Sequence, residues 1–92
     1  MTSKETKKRV VKKINKDSGE ENFLILHNDD EHSFDYVIDA LVKICKHDYE
    51  QAAQCTLITH YKGKCDVKKG AFDSLKPLKS ALNEKKLIAT ID

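Results

Sequence analysis

The chain has 92 residues, 39% of them hydrophobic and 35% charged, and no tryptophan, which fits one small domain with a modest core. No apolar run approaches the ~18–20 residues that span a bilayer, and no apolar segment follows the N-terminus as in a signal peptide, so we expect a soluble cytoplasmic protein. The formal net charge of +2 is uneven, because residues 1–20 carry a net +4 and the remainder a net −2.

The chain is predicted to begin with a flexible basic extension over residues 1–21, followed by one folded domain over residues 22–92. Residues 1–20 contain seven Lys or Arg and three Asp or Glu, with little apolar periodicity. Low hydrophobicity combined with high charge is typical of disorder. A basic extension of this kind can bind nucleic acid, although it is more often a solvated arm.

The folded domain is predicted to open with a strand over Asn22–His27, a short and mostly apolar run. Residues 28–30, Asn-Asp-Asp, end this strand because short polar side chains bond their own backbone and favour turns. A first helix then runs from Phe34 to Cys45 on its apolar spacing, with Ser33 as its N-cap.

A second helix is predicted to begin after Asp48, with Gln51 completing a capping box. Gly63 supplies the left-handed residue that ends it. A weaker strand is predicted over Lys64–Lys68, and residues 69–70, Lys-Gly, are expected to form a turn.

A third helix is predicted to have Asp73 as its cap and Pro77 in its first turn, where a missing N–H is tolerated. Leu87–Ile91 closes the chain as a strand. The order βααβαβ predicts an α+β fold, in which a small three-stranded antiparallel sheet packs with three helices on one face.

The cysteines Cys45, Cys55 and Cys65 are an odd number and contain no C-x-x-C pair. This excludes a disulfide framework and a thiolate zinc site. Cys45 and Cys55 fall in apolar helical segments, where a free cysteine behaves as a small hydrophobic residue. No enzyme activity is predicted, because no nucleophile–base pair and no Gly-rich phosphate loop can be found.

The densest polar cluster covers residues 27–32, His-Asn-Asp-Asp-Glu-His, and three hypotheses compete for it. The first is a turn with an incidental excess of acids. The second is a metal site, although the spacing of the histidines and carboxylates matches no established ligand pattern, so no metal or cofactor is predicted. The third is a pocket for an amine, in which Asp29 and the amide carbonyl of Asn28 accept hydrogen bonds from an ammonium group.

An ammonium group has three N–H donors, and His60 is the candidate for the third acceptor. His60 shares a helical face with Thr56 and Leu57, so it is predicted to point inward. A lone histidine on such a face is more often a core residue. If its neutral ring does accept from an ammonium group, affinity should fall as the pH drops through the ordinary range of imidazole titration.

Several segments resemble the ClpS adaptor family. They are residues 24–30, Leu-Ile-Leu-His-Asn-Asp-Asp; residues 36–41 in the first helix; residues 59–64, Thr-His-Tyr-Lys-Gly-Lys; and residues 87–92. The resemblance covers residues 22–92. The spacing between Asn-Asp-Asp and the His-Tyr-x-Gly-Lys segment makes it specific, whereas Asn-Asp-Asp alone would be weak.

The resemblance implies an adaptor that binds destabilising N-terminal residues, usually Leu, Phe, Tyr or Trp, and delivers their proteins to an AAA+ unfoldase of the Clp protease. It assigns the substrate α-amine to Asn28, Asp29 and His60, and support of the loop to Asp30. The apolar pocket for the substrate side chain is assigned to His32, Phe34, Val37, Thr56, Thr59 and Leu87. The basic extension would engage the unfoldase.

The sequence departs from the family at His32-Ser33-Phe34, where the best-known members have Thr-Pro-Met. The Met is a gatekeeper against β-branched N-terminal residues. Phe34 is predicted to exclude Ile and Val as well, with an altered preference among Leu, Phe, Tyr and Trp. The alternative function is a basic-tailed nucleic-acid-binding module, whose binding would weaken steeply with salt.

Overall fold

The computed structural model describes residues 21–92, so the predicted flexible extension, apart from Glu21, lies outside the described residues. Six elements follow one another in the predicted order. They are β1 (Asn22–His27), α1 (Phe34–Cys45), α2 (Tyr49–Lys62), β2 (Lys64–Gly70), α3 (Phe72–Glu84) and β3 (Ile88–Ile91). Over this part of the chain, no helix is long and apolar enough to cross a membrane.

The three strands form one antiparallel sheet in the order β2-β1-β3, which confirms the predicted α+β fold. His27, at the end of the central strand, pairs with Lys64 at the start of β2 and with Ile88 at the start of β3. The register of β1 with β2 shifts after Leu24, which leaves Val67 as an extra residue on β2. The loop that follows β1 therefore starts from the central strand of the sheet. It begins close to the segments that lead into β2 and β3.

The helices pack on the sheet face that carries Leu24 and Leu26, and together they form the hydrophobic core. Each fully buried leucine contributes roughly 1.5–3 kcal/mol. The largest fully buried side chains come from the central strand and from α1 and α3: Leu24, Leu26, Leu41, Cys45, Leu75 and Leu82. This core holds β1, α1 and α2 in fixed relation to one another.

The predicted ends of the first two helices are confirmed. The Ser33 hydroxyl accepts from the Tyr36 N–H at 3.2 Å, and an Asp48 carboxylate oxygen accepts from the Gln51 N–H at 2.8 Å. Gly63 ends α2 in the left-handed conformation, at φ 91°. Among residues 21–92 the reciprocal side-chain bond of the capping box is not formed, so Asp48 acts as a simple N-cap.

The predicted turn at Lys69-Gly70 is wrong, because β2 continues through both residues. Phe23 pairs with Lys69 and Asn22 pairs with Gly70, so the full length of β1 has a partner. The pairing that β1 offers outweighs the local tendency of Lys-Gly to turn.

The predicted cap of α3 is also wrong. The helix begins at Phe72 after Ala71, which makes no side-chain cap, and Asp73 lies within the first turn. The Asp73 carboxylate suits this position because the N-terminal end of a helix attracts negative charge. Pro77 consequently falls in the second turn, where it cannot donate to the Asp73 carbonyl and α3 loses one internal hydrogen bond.

The cysteines behave as predicted in the two helices, where Cys45 and Cys55 are buried, and Cys65 is half-buried in β2. Burial raises the pKa of the Cys45 thiol to about 11. Burial, together with the neighbouring Cys55, raises the pKa of Cys65 to about 12. Both thiols are therefore protonated at neutral pH, which makes them poor nucleophiles.

Candidate functional site

A cavity of about 230 Å³ opens where the loop after β1 meets α1 and α2. It is lined by Leu26, His27, Asn28, Asp29, Asp30, His32, Ser33, Phe34, Val37, Thr56, Thr59, His60 and Leu87. Sites for drug-sized ligands typically occupy ~300–1,000 Å³, so this cavity suits a single side chain or a small molecule.

Every residue that the sequence analysis assigned to substrate binding or loop support lies around this one cavity. The structure adds Leu26, His27 and Ser33 to them. The alternation of side chains along a strand could have predicted Leu26 at the cavity, because Leu26 faces the core two residues before Asn28. Ser33 was identified only as a helix cap, and its place beside Phe34 at the cavity depends on the path of the loop.

The loop after β1 is held by the carboxylate of Asp29. Its Oδ1 atom accepts from the backbone N–H of Glu31 at 2.8 Å and from that of His32 at 3.0 Å. Bonds from an Asp side chain to backbone two and three residues ahead are the standard stabilisation of a tight turn. The residue predicted to bind an amine therefore also shapes the loop that carries it.

The imidazole of His32 lies against the same carboxylate. Its Nδ1 atom is 3.0 Å from Oδ2 and 3.1 Å from Oδ1 of Asp29, and both side chains are 17% exposed. Burial by itself would raise the pKa of Asp29, but the Glu31 N–H, the His32 ring and the His32 N–H together hold that pKa below its ordinary value. Asp29 is therefore ionised at neutral pH.

His32 is in turn held by two further elements. Its ring stacks on Tyr36 of α1, with centroids 4.8 Å apart and an interplanar angle of 18°. The Tyr36 hydroxyl donates to the carbonyl oxygen of Lys85, just after α3, at 2.8 Å. These contacts connect the loop to α1 and to the turn between α3 and β3.

Asn28 and His60 come together through the end of α2. The Asn28 N–H donates to the carbonyl oxygen of Gly63 at 2.9 Å, which ties the start of the loop to the last turn of that helix. The Asn28 side chain is exposed, and its amide makes no hydrogen bond with residues 21–92. It is therefore available to a ligand at the mouth of the cavity.

The prediction that His60 points inward is wrong, because its side chain is exposed at the cavity mouth. Its ring meets Phe34 edge-on, with centroids 5.5 Å apart. The buried stripe of α2 runs through Ala52, Cys55, Thr56 and Thr59, one position away from the predicted face. Thus His60 lies beside the core-facing stripe and borders the cavity.

The interior of the cavity is mainly apolar, with walls from Leu26, Val37 and Leu87. Thr56 and Thr59 also line it, but each hydroxyl donates to a carbonyl of its own helix, at 2.8 Å and 2.7 Å. Their donors are therefore already used. The cavity combines apolar walls with anionic and acceptor groups at its mouth, an arrangement that can hold a cationic group attached to an apolar one.

The carboxylate of Asp30 is exposed and accepts no hydrogen bond from residues 21–92, so its role in supporting the loop remains a prediction. Metal binding was one hypothesis for residues 27–32. Across the described residues, no three His, Cys, Asp or Glu side chains are grouped as metal ligands would be.

Comparison with known proteins finds both a matching family and a matching fold. The family described as "ATP-dependent Clp protease adaptor protein ClpS" matches residues 17–89. Proteins called ATP-dependent Clp protease adapter protein ClpS from Serratia proteamaculans (strain 568) and Erwinia tasmaniensis are each 46% identical over 41 residues, which is 45% of this chain and 39% of each relative. The chain thus spans about two-fifths of the length of the curated relatives it matches.

Among solved structures, that of Agrobacterium tumefaciens ClpS2 bound to L-phenylalaninamide superposes with a TM-score of 0.73. The match covers 78% of this chain and 94% of that protein, at 19% sequence identity. At this identity the likeness shows a shared fold, and the family match comes from the sequence.

Proposed function

The chain belongs to the ClpS family of ATP-dependent Clp protease adaptor proteins, and from this premise we propose that it is an adaptor for destabilising N-terminal residues. It binds the free N-terminus of a substrate protein and delivers that protein to a Clp AAA+ unfoldase–protease. The observation that carries the proposal is the cavity itself, which joins acceptors at its mouth to apolar walls beneath.

The mouth of the cavity suits an α-ammonium group. Asn28, Asp29 and His60 all border it, so a carboxylate, an amide carbonyl and an imidazole lone pair are available to the three N–H donors. Asp29 supplies the opposing charge because its pKa is held below the ordinary value. Charge-assisted hydrogen bonds of this kind contribute roughly 1.5–3 kcal/mol each.

The apolar walls suit the first side chain of the substrate. Burying a Leu or Phe side chain contributes roughly 1.5–3 kcal/mol, and with the amine bonds and the cost of association this leaves about micromolar affinity. Such affinity suits an adaptor, which must also release its substrate. L-phenylalaninamide, bound by the A. tumefaciens relative, combines a free α-amine with an aromatic side chain. We propose that this chain takes N-terminal Leu, Phe, Tyr and Trp.

Phe34 is the proposed gatekeeper of the pocket. Its ring lies edge-on to His60, and Phe34 lines the cavity and is 41% exposed, so it can contact a ligand there. A rigid ring at this position leaves little room for a branch at the Cβ atom of the incoming residue. Peptides that begin with Ile or Val are therefore expected to bind more weakly than those that begin with Leu.

The test is fluorescence anisotropy with a labelled peptide that begins with free Phe, beside its N-acetylated twin. We expect micromolar binding of the free peptide and none of the acetylated one, because acetylation removes the ammonium charge. Asp29→Ala should abolish binding. Asp39→Asn is the matched control, because it removes an exposed carboxylate of α1 that pairs with Lys43 and does not line the cavity.

Delivery is tested with the same protein lacking residues 1–20. Peptide binding should survive this truncation, whereas degradation of a substrate with N-terminal Phe by the Clp unfoldase–protease should fail. Equal binding of both peptides, or of neither across Phe, Leu, Tyr and Trp, would contradict the adaptor function. Salt-dependent binding to nucleic acid would then be measured, since it is the signature of the alternative.

A further inference from the structure

His32 lies between the proposed amine site and the rest of the domain, and sequence resemblance assigned it only to the wall of the side-chain pocket. We propose that His32 is a positioning residue for Asp29: its Nδ1–H orients the carboxylate, and protonation of its ring turns it into a cation that competes with the substrate ammonium. This inference rests on the proposed function, because Asp29 is the group that would hold the substrate amine.

The contact between the two side chains determines which ring nitrogen carries the proton. The His32 Nδ1 atom is 3.0 Å from one oxygen of Asp29 and 3.1 Å from the other. A carboxylate can only accept, so Nδ1 must be the donor. In the neutral ring Nε2 is therefore the acceptor, and His32 carries no charge against Asp29.

The ring is held in this orientation from behind. Stacking on Tyr36 at 4.8 Å limits its rotation, and the hydroxyl of Tyr36 is anchored on the Lys85 carbonyl at 2.8 Å. The backbone N–H groups of Glu31 and His32 hold Oδ1 of Asp29 from the loop side. With Oδ1 used in this way, Oδ2 is the oxygen whose orientation depends on His32.

Protonation of the His32 ring changes the charge beside Asp29 without requiring either side chain to move. An imidazolium ring 3.0 Å from Oδ2 neutralises the carboxylate that the substrate ammonium would otherwise meet. Four other titratable side chains border the cavity or contact the ring: His27 from β1, Asp30 from the loop, Tyr36 from α1 and His60 from α2. His60 carries a second imidazole at the cavity, so the contribution of His32 must be measured by difference.

The experiment compares two substitutions of His32 by anisotropy with the free-Phe peptide, at about pH 7.5 and about pH 5.5. His32→Ala removes the donor and should weaken binding about tenfold at the higher pH. His32→Asn keeps an N–H donor near the position of Nδ1 and cannot be protonated. It should bind within about threefold of the unmodified protein at the higher pH and lose less affinity at the lower one.

Two results would overturn the inference while leaving the proposed function intact. One is His32→Ala binding as tightly as the unmodified protein, with Asp29→Ala still inactive. The other is an equal loss of affinity at low pH in His32→Asn and the unmodified protein. Failure of the unmodified protein to distinguish free from acetylated peptide would instead be a failure of the proposed function.

A spectroscopic measurement keeps the inference testable if His32→Ala fails to fold. Long-range ¹H–¹⁵N spectra of the unmodified protein should show His32 as the Nδ1–H tautomer at neutral pH. They should also show this tautomer disturbed in Asp29→Asn. An Nε2–H tautomer for His32 would overturn the proposal, because Nδ1 could not then donate to the carboxylate.

Discussion

At the scale of single residues, the one carboxylate of Asp29 makes two kinds of contact. Oδ1 accepts from the backbone of Glu31 and His32 and so closes the loop, while Oδ2 faces the His32 ring. These bonds stabilise the ionised form, which is why the pKa of Asp29 lies below its ordinary value in spite of burial. Loop geometry and the charge of the proposed amine site therefore depend on the same side chain.

Asp29→Ala should destabilise the fold as well as abolish binding. Loss of two backbone bonds to a charged acceptor is expected to cost about 1–3 kcal/mol at neutral pH. Because the pKa of Asp29 is lower in the folded state, its stabilisation is fully present above the ordinary value of 3.8 and is lost as the pH falls through the folded-state value. Urea unfolding should show a smaller difference at about pH 3 than at about pH 5.

A difference that stays constant or grows between about pH 5 and about pH 3 would contradict this assignment. Asp39→Asn serves as the control here too, because the Asp39 side chain is 56% exposed and, among residues 21–92, its carboxylate pairs only with Lys43. Its effect should remain within about 0.5 kcal/mol at neutral pH.

At the scale of elements, the site is built from ends. Asn28 directly follows the end of β1, Phe34 is the first residue of α1, and His60 lies in the last turn of α2. The left-handed conformation of Gly63 turns the chain out of α2, and its carbonyl oxygen receives the Asn28 N–H. Gly63 therefore connects Asn28 to the helix that carries His60, and both residues belong to the proposed amine site.

Gly63→Ala should destabilise the protein through its backbone conformation. Among residues 21–92, a Cβ atom at this position would meet nothing within 4 Å, so the expected cost is the strain at φ +91°, about 1–2 kcal/mol. Gly63→Asn should cost less, because Asn tolerates this conformation better. Urea unfolding of the two variants measures the difference, and equal destabilisation would contradict this explanation.

At the scale of the whole molecule, the core keeps the three ends in place. Leu41 of α1 is completely buried. By contrast, Leu57 of the neighbouring helix α2 is 40% exposed. The rigid scaffold beneath the cavity comes from buried residues such as Leu41, and the exposed leucine contributes little to it.

Leu41→Ala should therefore lower the free energy of unfolding by about 2–5 kcal/mol through loss of burial and creation of a cavity. Leu57→Ala is the matched control, with an expected change of about 0.5 kcal/mol or less. Chemical denaturation followed by circular dichroism measures both. A similar loss in the two variants would show that α2 is packed differently from the structure described above.

The order of elements, the α+β fold and the caps at Ser33 and Asp48 followed from the sequence alone, because apolar spacing and capping chemistry act over a few neighbouring residues. The predicted turn at Gly70 failed for the complementary reason, because pairing with β1, a strand far away in the chain, outweighed a local preference. The predicted cap at Asp73 failed because α3 begins earlier, at Phe72, and includes Asp73 in its first turn.

The residues around the cavity were predicted as a set from the family resemblance, and their roles in binding remain predictions. Only the tertiary structure decided that His60 is exposed at the mouth, and that His32 bonds Asp29 while it stacks on Tyr36. The stack on Tyr36 and its bond to Lys85 depend on how α1 lies against the segment after α3. No local pattern specifies that packing, because it results from burial of side chains that are far apart in the chain.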